Sequence, residues 1–85
     1  MIILPDIKTV RIGKRGISKE TIEEIKNILK KYGIIKVKIL KNFRDLYDYK
    51  REEVAKILAK KTNSQIVEIR GFTILLSKKK KDLVS

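Results

Sequence analysis

The stretch Ile12-Gly13-Lys14-Arg15-Gly16-Ile17-Ser18 concentrates the side chains and backbone freedom that could do chemistry. Two cations sit between two glycines, and a glycine can adopt φ > 0 or let another backbone come close. A helix start at Ser18 would aim free N–H groups and the positive end of a helix dipole back toward the loop. Such an arrangement suits an anion such as a phosphate. Covalent chemistry has less to draw on. Histidine and cysteine are absent from the 85 residues, so the usual general base, thiolate nucleophile and zinc ligands are missing. The paired carboxylates Glu23-Glu24 and Glu52-Glu53 fall on helical turns rich in lysine, where capping and i,i+4 pairing account for them. No enzymatic activity, metal or cofactor is expected.

The elements that must hold this loop can be read on both sides of it. Residues 9–12 alternate as a strand, with Val10 and Ile12 on one face and Thr9 and Arg11 on the other. Ser18 is a good N-cap, with Ile17 and Ile22 spaced as a hydrophobic staple. The stripe Ile22, Ile25, Ile28, Leu29 and Tyr32 predicts a helix over 19–32 that buries Tyr32, ended by Gly33 in the left-handed region. A second strand spans 34–40, with Ile35, Val37 and Ile39 facing inward and Lys36 and Lys38 outward. A strand, a helix and a strand in succession imply parallel pairing with a right-handed crossover.

Residues 41–47 read as a loop running into a second helix that Asp45 or Asp48 would cap. That helix buries Val54, Ala55, Ile57, Leu58 and Ala59 and ends near Asn63. Strands at 65–70 and 73–77 form a hairpin about Gly71-Phe72. The order β-α-β-α-β-β predicts a two-layer α/β (α+β) sandwich with a mixed four-stranded sheet, all in one domain over 1–85. Residues 1–8 form an apolar lead-in and 78–85 a basic tail.

Net charge narrows the partner. Lys and Arg number 22 against 10 Asp and Glu, giving +12 at pH 7. So large an excess in so short a chain points to a polyanion. Lysine-rich surfaces of heat-adapted proteins are the competing explanation, but those balance Lys with Glu. No apolar run approaches the length of a membrane span, and residues 1–6 lack a basic leader, so a cytoplasmic location is expected. The candidate contact residues are Gly13, Lys14, Arg15 and Gly16 in the loop, then Arg11, Lys36, Lys38 and Arg70 on the outward strand face. Phe72, at the hairpin tip, is the aromatic best placed to stack on a base. Tyr32, Phe43, Tyr47 and Tyr49 could also stack on bases, but Phe72 is the one aromatic to test, and the lysines at 78–81 could tether a polyanion.

Taken in order, the 12–18 loop, the acidic helix, Ile34-Ile35-Lys36-Val37-Lys38, the Glu- and Ala-containing helix and Ile66-Val67-Glu68-Ile69-Arg70-Gly71 resemble the CRM domain family. That family includes the YhbY-like ribosome-associated proteins of bacteria and RNA-binding domains of plant organelle splicing factors. The resemblance runs from Val10 to about Leu76. It implies a fold similar to the C-terminal domain of translation initiation factor three and a Gly-x-x-Gly loop that contacts RNA, as in KH domains. It also implies a role on precursors of the large ribosomal subunit or on intron RNA. Two places depart from the family pattern. Residues 1–8 are short and apolar where the family has a basic helix, and Leu76-Ser77-Lys78 replaces an aromatic-plus-Arg ending. Two other readings stay open: a DNA-coating protein similar to the Alba family, and a ribosome-associated component that docks on protein.

Overall fold

The computed structural model describes residues 7–79. Residues 1–6 and 80–85, which hold most of the expected lead-in and tail, lie outside the described residues. The elements are β1 (Thr9–Ile12), α1 (Lys19–Tyr32), β2 (Ile34–Ile39), α2 (Lys41–Leu46), α3 (Arg51–Thr62), β3 (Ser64–Arg70) and β4 (Thr73–Lys78).

The first helix follows its end signals. Ser18 is extended at φ −85° and ψ 164°, and its hydroxyl accepts the Thr21 N–H at 3.1 Å. At the other end Gly33 turns left-handed at φ 84°, and its N–H donates to the Leu29 carbonyl at 2.8 Å. Between the caps, Ile22, Ile25 and Leu29 are buried. The same logic ends α3, where Asn63 takes φ 52°.

The strands form one four-stranded sheet in the order β1-β2-β4-β3. β1 runs parallel to β2 through the α1 connection, and the remaining pairs are antiparallel. One face is apolar: Val10, Ile12, Ile35, Val37, Ile39, Ile74 and Leu76 join the helix residues Ile22, Ile25, Leu29, Val54, Ala55 and Leu58 in a single core. This is the expected two-layer arrangement with a mixed sheet. Among the described residues no helix is long and apolar enough to cross a membrane.

Three details differ from the sequence reading. Residues 41–46 form a separate short helix, because Phe43 projects into the core, where it is 1% exposed. Neither Asp45 nor Asp48 caps the next helix. Lys50 holds the N-cap position, and its N–H donates to Glu53 Oε1 at 3.1 Å. Lysine carries no acceptor, so only the glutamate half of a capping box forms. Tyr32 is half exposed rather than buried, lying near the Lys8 and Lys31 ammonium groups. It is the last helical residue, and Ile28 one turn earlier is already only partly covered, so the stripe has rotated off the sheet.

Phe43 therefore carries more stability than its place in an uncertain stretch suggests. Phe43→Ala is expected to cost about 3–5 kcal/mol, a large share of the stability of a domain this small. Tyr32→Ala should cost less than about 1 kcal/mol. Urea unfolding followed by circular dichroism separates the two.

Candidate nucleic-acid interface

The glycine loop leaves β1 and is held by protein on its inner side. Gly16 N–H donates to the Gly13 carbonyl at 2.9 Å, closing a tight turn. Gly16 has φ +70°, and a Cβ there would lie 2.9 Å from the Tyr47 ring. A Cβ on Gly13 would meet Leu40 Cδ1 at 3.3 Å. Tyr47 adds a hydrogen bond from its hydroxyl to the Lys14 carbonyl at 3.1 Å. The close approaches that the glycines permit are thus made to Leu40 and Tyr47. The tip is free: Lys14 and Arg15 are exposed, form no ion pair among the described residues, and donate neither backbone N–H to a described carbonyl.

The strand cations come together on the face that the helices leave open. The registers align Arg11 with Lys38, Lys38 with Thr73, and Thr73 with Arg70. Cross-strand partners share a face, so these four positions form one row across the sheet. At roughly 4.8 Å between strands the row spans about 14 Å. The next row is Thr9, Lys36, Leu75 and Glu68. An extra residue in β3 between Ile66 and Glu68 sets Glu68 and Arg70 in these rows. A depression of about 340 Å³ lies here, lined by Ile7, Glu68 and Leu75 as well as Lys36, Lys38, Arg70 and Thr73.

Row and loop occupy the same end of the sheet. Arg11 and Lys38 are next to last in strands that end at this end, where α2 and the Gly71-Phe72 turn also lie. Phe72 is 44% exposed, and the Arg44 guanidinium sits 3.9 Å from its ring centroid. Arg51 Nη1 donates to the Gly71 carbonyl at 2.9 Å and Nε to Glu52 at 2.9 Å. That guanidinium, with a smaller contribution from the Glu52 backbone hydrogen bond, holds the Glu52 carboxyl below its ordinary value. Arg51 is therefore engaged in fastening the hairpin turn, and Arg70 is partly offset by Glu68 at 3.5 Å.

The α1 side of the loop is less suited to an anion than the sequence suggests. The cleft at the start of α1 is lined by Glu20, Glu23 and Glu24 as well as Arg15 and Lys19. Glu20, in the first turn, already answers the helix dipole, and the three carboxylates together would repel a phosphate. Residues that the sequence reading did not assign to the site, above all Arg44, were legible only as isolated charges. Their roles come from contacts across the fold. Among the described residues no group of three or more potential metal-ligating side chains exists.

A two-layer domain with a tethered glycine turn and a basic open sheet face is the class that the fold and site define. The CRS1 / YhbY (CRM) domain model matches residues 6–78, and the chain belongs to that family. It is 33% identical over 72 residues to the "Probable RNA-binding protein YqeI" of Bacillus subtilis (strain 168), covering 85% of this chain and 71% of that one. The solution structure of the hypothetical protein SAV1595 from Staphylococcus aureus, a candidate RNA-binding protein, is similar with a TM-score of 0.63. Its identity is 30%, over 86% of this chain and 72% of that one.

Gly16 should tolerate no side chain. Gly16→Ala is expected to cost about 2 kcal/mol or more, from left-handed strain together with the Tyr47 clash. Gly71→Ala carries only the strain, about 1 kcal/mol, because nothing lies within 4 Å of its Cβ position. A Gly16→Ala/Tyr47→Ala double variant should lose less than the sum of its singles in urea titrations.

Proposed function

We propose that this domain is an RNA-binding module that grips the sugar–phosphate backbone at the loop end of its sheet. Lys14 and Arg15 supply the charge at the tip, and Gly13 and Gly16 shape the turn that presents them. Arg11, Lys36, Lys38 and Arg70 continue the contact over the open face, and Phe72, backed by Arg44, offers a ring to an unstacked base. The observation that carries this reading is the alignment of Arg11, Lys38 and Arg70 in one row at the end where the loop also projects. Family membership and a relative named for RNA binding support RNA over other polyanions.

The finer reading is an accessory factor acting on large-subunit ribosomal RNA or on an intron RNA in the cytoplasm, by binding rather than catalysis. It rests on the family resemblance. Duplex DNA is the competing polyanion, and competition against structured RNA at fixed salt separates the two.

Replacing Lys14 and Arg15 together by Glu should weaken binding to an rRNA fragment on the order of 100-fold, from two lost charge-assisted contacts. The log–log salt slope should become shallower by about 1.4, since each phosphate contact on a single strand contributes about 0.7. Filter binding over a salt series measures both, with circular dichroism confirming an intact fold. Wild-type affinity in the double variant would remove the loop from the interface.

A further inference from the structure

Between the glycine loop and the α2 and α3 residues lies a second concavity. It has a volume of about 470 Å³ and is lined by Arg15, Gly16, Ile17, Phe43, Tyr47, Tyr49, Ile57 and Lys61. That volume lies within the range of small-ligand sites, roughly 300–1,000 Å³. Its lining combines aromatic and aliphatic surface with two cations, and no carboxylate is among the lining residues.

The aromatic part is built. Phe43 is buried, and Tyr47 stacks on it at 4.8 Å between centroids with 28° between planes. Tyr49 lies 6.2 Å from Phe43 with 20° between planes. Tyr47 is tied down by its hydrogen bond to Lys14 and its contact with Gly16. Tyr49 is 47% exposed, and its hydroxyl has no hydrogen-bond partner among the described residues. A large aromatic ring left half in solvent at the end of a fixed stack, in a pocket that Arg15 and Lys61 also line, is a surface for another flat ring that carries negative charge nearby.

We infer that this pocket receives an unpaired nucleobase of the bound strand, stacked on Tyr49, while Arg15 and Lys61 hold its flanking phosphates. The inference rests on the proposed RNA-binding function and adds a base-binding pocket on the helical side of the loop. Stacking on an aromatic ring tolerates any base, so the pocket selects single-stranded over paired RNA and does not select sequence. The same loop residue would then touch phosphate on the strand as it passes from the open sheet face into the pocket. Arg15 also lines the α1 cleft, but the glutamates there leave this pocket as its anion-compatible side.

Two probes of equal length and charge isolate the base: a single-stranded oligouridine and an abasic sugar–phosphate strand. The wild-type protein should bind oligouridine more tightly. Tyr49→Ala should remove about 10-fold of that preference while leaving affinity for the abasic strand unchanged. Tyr49→Phe, which keeps the ring, should retain it. A single-stranded oligonucleotide carrying 2-aminopurine should be quenched by the wild type and less so by Tyr49→Ala. The inference is overturned if Tyr49→Ala leaves the preference intact, or weakens both strands equally. If the wild type binds neither probe, the RNA-binding reading itself fails. The Lys14/Arg15 double Glu variant, which should lose both strands alike, keeps failure of the pocket distinguishable from failure of the loop.

Discussion

One-sided burial of the sheet is the constraint from which the rest follows. α1 and α3 can cover only one face, and that face takes the alternate residues Val10, Ile12, Ile35, Val37, Ile39, Ile74 and Leu76. Strand side chains alternate with a period of two, so the residues between them must face the other way. Those residues include Arg11, Lys36 and Lys38. Parallel pairing of β1 with β2 then sets Arg11 beside Lys38, and the antiparallel β4 brings Thr73 into line. The same hydrophobic demand that folds the chain therefore gathers its charge. A register slip of one residue would bury the lysines and expose the core, which makes the basic face as strongly specified as the core itself.

The glycine loop depends on a second, longer-range interaction. Tyr47 follows α2, far from the loop in sequence, yet its ring fills the space that a Gly16 side chain would need, and its hydroxyl holds the Lys14 carbonyl. Phe43 fixes that tyrosine from below by stacking and by its own burial. The loop backbone is thus held on a rigid base, and little backbone entropy is left to lose when Lys14 and Arg15 meet a phosphate. Arg51, bonded to the Gly71 carbonyl, and Arg44, over the Phe72 ring, do the same for the hairpin turn.

Most of the fold was legible because its signals are local. Ser18, Gly33 and Asn63 end helices through backbone preferences that do not need the rest of the chain, and the strand boundaries near 34, 64 and 73 follow period-two alternation. The outward placement of Arg11, Lys36 and Lys38 came from the same alternation. Residues 41–50 were not legible, because what decides them is tertiary: Phe43 enters a core assembled from distant strands, and Glu53 takes over the capping role from Asp45 and Asp48. Tyr32 misled because spacing on a helix continues past the point where the sheet beneath it ends. In the site, the glycines marked the turn, but their neighbours Leu40 and Tyr47 could be found only from the folded chain.

The domain carries lysines at both ends, and this sets the decisive comparison. At the far end Lys26, Lys30, Lys78 and Lys79 line a cleft of about 440 Å³ beside the C-terminal ends of α1 and α3. Helix C-termini attract cations for reasons of their own stability. Titration of the isotope-labelled protein with single-stranded RNA, followed by backbone amide shifts, asks which end the ligand uses. The largest shifts are expected at Lys14, Arg15, Arg11, Lys38, Arg70 and Phe72, with Lys30, Asn63 and Lys78 unmoved. Largest shifts around Lys26, Lys30, Asn63 and Lys78, with the glycine loop silent, would contradict it.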